Sequence, residues 1–231
     1  MKTAAIVLSA GSGKRMGTDV PKQYLALNDK PVIYYSLKAF EDSIIDEIIL
    51  VVGDGYEQYC KKEIIDKYGL KKVSAVVPGG KERYDSVYNG ITATDADYVF
   101  IHDGARPFVN PSMIKRGFDR VLEKKACIAA MPVKDTIKSV DTNSVVTGTP
   151  ERNSLYQVQT PQIFERGLLV SAYAKMESDK GCKSITDDAM IIEKYTDTKV
   201  CVFDGAYSNI KITTAEDMVI AKALLDSMEK R

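Results

Sequence analysis

Histidine is nearly absent from this sequence, and neither sign of charge is in surplus. One imidazole, His102, in 231 residues leaves no histidines at metal-ligand spacing and little material for a base-activated nucleophile. Thirty-two acidic residues balance thirty-two basic ones, so no global field draws the chain to nucleic acid or anionic lipid. Any phosphate chemistry has to use local charge. Cysteine is sparse too: Cys60, Cys127, Cys182 and Cys201 form no C-x-x-C pair, and buried, reduced thiols are the expectation. No apolar stretch is long enough to span a bilayer, and the short apolar run after Met1-Lys2-Thr3 meets a glycine loop within ten residues, too soon for a signal-peptide core and its cleavage site. Repeats and low-complexity segments are also missing. These absences predict a soluble, cytoplasmic protein with neither nucleic-acid nor membrane partners.

What the sequence does contain is an alternation. Apolar runs rich in β-branched residues at 3–8, 47–52, 72–77, 98–102 and 126–131 read as strands buried on both faces, as in a parallel sheet. Between them Cys60, Ile64, Ile65 and Tyr68 share a helical stripe, as do Tyr84, Val87, Tyr88 and Ile91, and then Ile114, Phe118, Val121 and Leu122. Strand, helix, strand predicts right-handed crossovers and a three-layer α/β sandwich with a mostly parallel sheet, one domain over residues 1–231. The rhythm breaks at residues 132–161. Short β-prone pieces (136–140, 144–146, 156–159) lie there between turns at Asp141-Thr142-Asn143 and Gly148-Thr149-Pro150, and we read them as a protruding β-arm. A lone hairpin is marginal in water, so a second copy of the chain is its expected support. Helices are predicted again at 165–176 and 186–195, strands at 200–203 and 209–212. The last helix opens on Thr213-Thr214-Ala215-Glu216 as a capping box, turns Met218, Ala221, Leu224 and Leu225 inward and frays at Glu229-Lys230-Arg231.

Ser9-Ala10-Gly11-Ser12-Gly13-Lys14-Arg15-Met16-Gly17 follows the first strand, at the carboxyl edge where open α/β sheets bind ligands. Small residues let backbone N–H groups approach an anion, and Lys14, Arg15 and Lys22 add three positive charges within nine positions. The loop is not a dinucleotide turn, because Met16 stands where a third glycine is needed. Nor is it a P-loop, because Gly13-Lys14 is followed by Arg15 and not by Ser or Thr. The plain alternative is a strand-to-helix turn with solvated basic residues; Pro21, fixing the chain just before Lys22, favours an anion site. Gly79-Gly80-Lys81-Glu82-Arg83-Tyr84-Asp85-Ser86 opens a helix after the third strand, as a glycine turn or as a binding segment. Asp103 is either a turn former before Gly104 or a carboxylate facing reacting phosphates. His102 reads as a packed, hydrogen-bonded imidazole.

Leu8 to Gly17 followed by Pro21-Lys22-Gln23-Tyr24 resembles the sugar-nucleotide pyrophosphorylase loop. His102-Asp103-Gly104-Ala105-Arg106-Pro107, Pro132-Val133-Lys134-Asp135-Thr136, Gln159-Thr160-Pro161-Gln162 and Asn209-Ile210-Lys211 extend the match. Across essentially the whole chain the sequence resembles the 2-C-methyl-D-erythritol 4-phosphate cytidylyltransferases. The resemblance implies a Rossmann-like nucleotidyltransferase sandwich that transfers CMP from CTP to 2-C-methyl-D-erythritol 4-phosphate, releasing pyrophosphate, in the non-mevalonate isoprenoid pathway. By the same resemblance Arg15 and Lys22 are catalytic, and Ala10, Gly11, Ser12 and Gly13 hold the triphosphate. Gly80, Arg83, Ser86, Asp103 and Ala105 complete the nucleotide site. Arg106, Thr136, Arg152, Thr160, Thr186 and Lys211 bind the acceptor, and the arm makes a homodimer in which Arg152 serves the neighbouring site. Mg²⁺ or another divalent cation is the implied cofactor, with Asp103 as its carboxylate. Ser208 stands where some members have an aspartate, which leaves that part of the acceptor site open. Ribitol 5-phosphate as acceptor, and a non-catalytic nucleotide-binding module, are the alternative readings.

Overall fold

The computed structural model describes residues 1–11, 20–179 and 185–229. The first apolar run becomes β1 (Thr3–Ser9). After it a two-strand ribbon, β2 (Ala26–Leu27) and β3 (Lys30–Pro31), leads into α1 (Val32–Glu41). Next come β4 (Glu47–Val52), α2 (Glu57–Tyr59) with a π-helical continuation over Cys60–Asp66, and β5 (Val73–Pro78). Helix α3 (Arg83–Thr92) starts on a capping box in which the side chains of Glu82 and Asp85 each accept a backbone N–H of the other's position. After β6 (Tyr98–Asp103), α4 (Pro111–Lys124) begins with Asn110 accepting from the Met113 N–H and with proline in its first turn. The second half comprises β7 (Ala126–Pro132), the hairpin β8 (Ser139–Val140) and β9 (Val146–Gly148), β10 (Tyr156–Glu165), α5 (Arg166–Ser178), α6 (Asp188–Tyr195), β11 (Cys201–Asp204) and α7 (Ala215–Glu229).

Seven strands form one sheet in the order β11-β7-β10-β6-β1-β4-β5. All neighbours run parallel except β10, which is antiparallel to both β6 and β7. Side chains alternate across a strand, and this splits the core into two. Ala5 and Val7 meet Ile33, Leu37 and Phe40 of α1 and Met113, Ile114 and Val121 of α4. Ile6, between them in sequence, meets Val87 and Ile91 of α3 and Leu169, Tyr173, Ile191 and Ile192 of α5 and α6. Each of the larger side chains contributes ~1.5–3 kcal/mol by leaving water, and together they make the expected three layers. Gly90 sets how closely α3 approaches the sheet: a Cβ there would come within 2.4 Å of Ile6 Cγ2.

Several expectations are corrected. The strand at 72–77 is the sheet edge and is half-buried, because β5 has a neighbour on one side only. Leu122 points outward and is 39% exposed, since Val121 takes the inward position of α4. Within the arm only β8 and β9 are ordered as strands, around a turn in which Asp141 Oδ1 accepts the N–H groups of Asn143 and Val145. The piece at 156–159 belongs to the central sheet as the start of β10, pairing with β7. Residues 209–212 form no strand. They are a loop tied down by Asn209 N–H to the Ala206 carbonyl and Ile212 N–H to the Ala105 carbonyl. The cap of α7 is closed by Asp217, not Glu216: its Oδ2 accepts the N–H groups of Thr213 and Thr214. Met218, Ala221, Leu224 and Leu225 do pack inward, against Val32 and Ile212. Cys60 and Cys127 are buried and Cys201 half-buried, all three free; Cys182 and residues 230–231 lie outside the described residues. Among the described residues no helix is long and apolar enough to cross a membrane.

Candidate functional site

From β1 the chain moves outward through β4 to β5, then returns to place β6 on the opposite side of β1. That reversal leaves a crevice beyond the carboxyl ends of β1 and β6, the place where doubly wound sheets bind ligands. A cleft of about 600 Å³ opens there, within the range of small-molecule sites. One wall is the turn after β1, Ser9, Ala10 and Gly11, joined by Lys22 and Gln23. The start of α3 supplies Gly80, Lys81, Glu82, Arg83 and Ser86, the end of β6 gives Asp103 and Ala105, and the loop before α7 brings Lys211 and Thr213. The turn after β5 packs tightly on this wall: a Cβ on Gly79 would lie 2.3 Å from that of Ala10.

The floor is a charge cluster built on the buried Asp103. Asp103 Oδ2 lies 2.8 Å from Lys211 Nζ and 4.0 Å from Arg106 Nε, and Oδ1 lies 3.5 Å from Arg83 Nε. Burial would raise this carboxyl, but Arg83, Lys211 and Arg106 outweigh it and hold Asp103 well below the usual carboxylate range. It is ionised at neutral pH. Arg83 reaches in the other direction to Asp188, fully buried, with Nη1 2.8 Å from Oδ2. Burial works against the charge on Arg83, yet Asp188 and Asp103 raise its pKa, so the guanidinium stays cationic. Tyr173 donates its hydroxyl to the other oxygen of Asp188 at 3.2 Å.

Three polar residues of β10 hold this cluster from behind. The ladder between β10 and β7 shifts register between Val158 and Gln162, and such an irregularity re-aims the side chains in it. Gln159 donates to the Ala206 carbonyl at 2.8 Å and accepts from Asn209 Nδ2 at 3.3 Å, fastening the loop that carries Lys211. Thr160 accepts the Asp103 N–H at 3.1 Å. Gln162 accepts the N–H groups of Asp188 and Ala189 at 3.0 Å each, fixing the start of α6 and so Asp188.

Nine sequence-predicted residues therefore meet at one cleft: Ala10, Gly11, Lys22, Gly80, Arg83, Ser86, Asp103, Ala105 and Lys211. Ser86 spends its hydroxyl on the turn, accepting from Gly80 N–H and donating to the Glu82 carbonyl. Arg106 lies behind the wall, with Nη1 donating to the Asn209 carbonyl at 2.8 Å. Thr160 is buried and its side chain faces His102 and Asp103, not the cleft. Thr136, Arg152 and Thr186 are exposed and do not line the cleft of their own chain; Arg152 Nη1 donates to the Lys134 carbonyl at the arm's base. Ser12, Gly13 and Arg15 lie outside the described residues. Sequence reasoning missed Gln23, Asp188, Gln159 and Gln162. Gln23, Gln159 and Gln162 stand inside two of the motifs that carry the resemblance but were given no role there, and Asp188 stands in none of them.

The family model described as 2-C-methyl-D-erythritol 4-phosphate cytidylyltransferase matches residues 3–227. The protein of that name from Lachnoclostridium phytofermentans is 50% identical over 225 residues, covering 97% of this chain and 96% of the relative. Its counterpart in Lachnospira eligens is 48% identical over 223 residues, covering 96% and 98%. Among solved structures, the 4-diphosphocytidyl-2C-methyl-D-erythritol synthase of Anaerococcus prevotii is similar with a TM-score of 0.86 at 35% identity over 97% and 96% of the two chains. The 2-C-methyl-D-erythritol 4-phosphate cytidylyltransferase of Thermus thermophilus gives 0.79 at 27% identity, over 98% and 100%.

His102 lies beneath the cluster, fully buried as the sequence led us to expect. A carbonyl only accepts, so the contact of 3.1 Å between Nε2 and the Arg106 carbonyl puts the proton on Nε2. Nδ1 then accepts from the Thr160 hydroxyl at 3.1 Å, and the chain Asp103 N–H, Thr160, His102, Arg106 carbonyl has one direction. Burial pushes the imidazole down to about 4. Because the folded value lies below the unfolded one, near ~6.5, the unfolded chain takes up the proton first as pH falls. The neutral imidazole's contribution is whole above about pH 6.5 and is lost on acidification through about pH 4, ~3 kcal/mol in all. Urea denaturation between about pH 7 and about pH 4.5 is expected to show this loss in the wild type. His102→Gln, less stable throughout, should lose less over the same interval; an equal loss would refute the assignment.

Proposed function

The chain belongs to the 2-C-methyl-D-erythritol 4-phosphate cytidylyltransferase family, and we propose that its cleft at β1 and β6 carries the transfer of CMP from CTP to 2-C-methyl-D-erythritol 4-phosphate. Pyrophosphate leaves and 4-diphosphocytidyl-2-C-methyl-D-erythritol forms, a step of the non-mevalonate route to isoprenoids. The observation that supports the reading most is the convergence of Lys22, Arg83 and Lys211 on one crevice in a protein of balanced charge. An oxygen of the polyol phosphate attacks the α-phosphorus of CTP, and the bond from that phosphorus to the bridging β-oxygen breaks. A phosphate monoester is mostly dianionic at neutral pH, with its second pKa at ~6. No general base is needed, which suits a site whose one imidazole is buried and below the floor.

Catalysis then rests on alignment and charge. Lys22 acts at the α-phosphorus, and the resemblance gives Arg15 the same role. The turn amides at Ala10 and Gly11, with Ser12 and Gly13 beyond, hold the outer phosphates. Gly80, Arg83 and Ser86 face the nucleoside; Lys211 addresses the acceptor phosphate, and Arg106, behind the wall, holds the loop of Lys211 through the Asn209 carbonyl. Thr160 acts through Asp103 and His102, not by touching the acceptor. For Mg²⁺ the cleft offers two carboxylates, Glu82 and Asp103, and no group of three acidic, cysteine or histidine ligands exists among the described residues. That fits an ion that takes most of its ligands from phosphate and water, and Asp103, ionised at the cleft floor, is the residue to hold it. Bound there, the cation would neutralise charge building on the leaving pyrophosphate.

The arm supports a homodimer. Val140, Val145 and Val146 are each more than half exposed on a hairpin too small to stand alone. A second copy would cover it and receive Thr136 and Arg152 at its acceptor site. The free thiols Cys60, Cys127 and Cys201 support the cytoplasm as its compartment.

Incubated with CTP, Mg²⁺ and either 2-C-methyl-D-erythritol 4-phosphate or ribitol 5-phosphate, the chain is expected to release pyrophosphate with the first. Chelation by EDTA should stop the release; turnover with ribitol phosphate alone would transfer the reading to that acceptor. A chain that binds CTP and releases none is a binding module. Lys22→Ala is expected to lower kcat by roughly 100-fold or more while the Kd for CTP changes far less, and the reverse pattern would remove Lys22 from the transition state. Sedimentation should give a dimer, and a fully active monomer would rule out the role given to the arm.

A further inference from the structure

Lys22 opens a single 3₁₀ turn, Lys22–Tyr24, after Pro21. So short a turn has little rigidity of its own. Its place beside the cleft comes from the two side chains that follow, both buried and both fastened to the end of β1. Tyr24 hydrogen-bonds the Ser9 side chain at 3.1 Å and stacks on Tyr56. Gln23 does something different. It is 3% exposed, and its Nε2 donates to the backbone carbonyl of Ser9 at 2.6 Å and to that of Gly11 at 3.0 Å.

We propose that Gln23 is a positioning residue for nucleotidyl transfer, clamping the turn that begins the phosphate-binding loop to the turn that carries Lys22. The proposal rests on reading the cleft as the nucleotide site. In a trans peptide the C=O and N–H point in opposite directions. With the Ser9 carbonyl drawn to Gln23, the Ala10 N–H is turned to the other side of the chain and held there as a donor before any anion arrives. One amide group thus fixes two things at once, the direction of a phosphate-binding N–H and the distance from it to the Lys22 backbone. The task selects glutamine: a terminal NH₂ supplies two donors without charge, a carboxylate supplies none, and a hydroxyl only one. Catalysis that relies on alignment is sensitive to the loss of such a clamp, since a shift of ~1 Å costs on the order of 100-fold.

The test uses the full chain with Gln23→Glu and Gln23→Met in the pyrophosphate assay, with circular dichroism and thermal melting to confirm folding. Both variants are expected to lose kcat by roughly 10- to 100-fold, with KM for the polyol phosphate within about twofold. A pH profile separates positioning from mere packing. A buried carboxyl facing two carbonyls has a raised pKa, and its protonated form regains one donor, so kcat of Gln23→Glu relative to wild type should rise at least about fivefold from about pH 8 to about pH 5.5. Gln23→Met should show no such rise. Folded variants with kcat within about twofold of an active wild type, or a flat ratio for Gln23→Glu, overturn the proposal; if that variant does not fold, Gln23→Met decides by its kcat. An inactive wild type would overturn the functional reading and this proposal together.

Discussion

A carboxylate buried at the bottom of a cleft costs several kcal/mol unless cations reach it, and the candidate site is arranged around that demand at Asp103. Lys211, Arg83 and Arg106 come from three separate segments. Each is brought within range by a different element: the loop before α7, the first turn of α3 and the turn after β6. The cluster therefore does more than balance charge. It fixes three walls of the cleft relative to one atom group at the carboxyl end of β6, and it leaves basic groups facing the space where an anion would lie.

The antiparallel strand β10 makes that arrangement possible. Running against β6 and β7, it delivers Gln159, Thr160 and Gln162 to the back of the site from a direction that no parallel strand could offer. Gln159 holds the loop of Lys211, Thr160 holds the backbone of Asp103, and Gln162 holds the helix that presents Asp188 to Arg83. These three bonds join neutral groups on buried side chains, so they keep their strength where surface charges would be screened. Arg83, Asp103 and Lys211 face the cleft; the glutamines and the threonine keep them there.

Much of the fold was legible because it rests on local patterns. Five parallel strands showed as apolar runs, and β1 and β4 matched nearly residue for residue. Strand β10 was only half visible: its register shift puts Gln159, Thr160 and Pro161 amid apolar neighbours, and the polar break reads as a turn. In the site, Lys22 was visible through charge after proline and Asp103 through charge before glycine, both local signals. Asp188 was not, because its partner Arg83 lies 105 positions away and pairing at that range leaves no trace in periodicity. Gln23 and Gln159 were missed for a related reason: a neutral side chain that bonds to backbone carries no charge pattern at all. Ala10, Gly80 and Lys211 were found through resemblance, and the geometry then supplied a physical reason for their convergence.

Tyr207 gives the loop of Lys211 a second attachment. Its hydroxyl donates to the Pro132 carbonyl at 2.9 Å, and Lys134 Nζ sits 3.6 Å from the centre of its ring. Both partners belong to the root of the arm. The hinge of the projecting hairpin and the lysine-bearing wall of the cleft are thus a single mechanical unit, joined through one aromatic ring. Torque applied to the hairpin has to be resisted at the cleft, so the rigidity of that wall is shared with whatever surface the hairpin rests on.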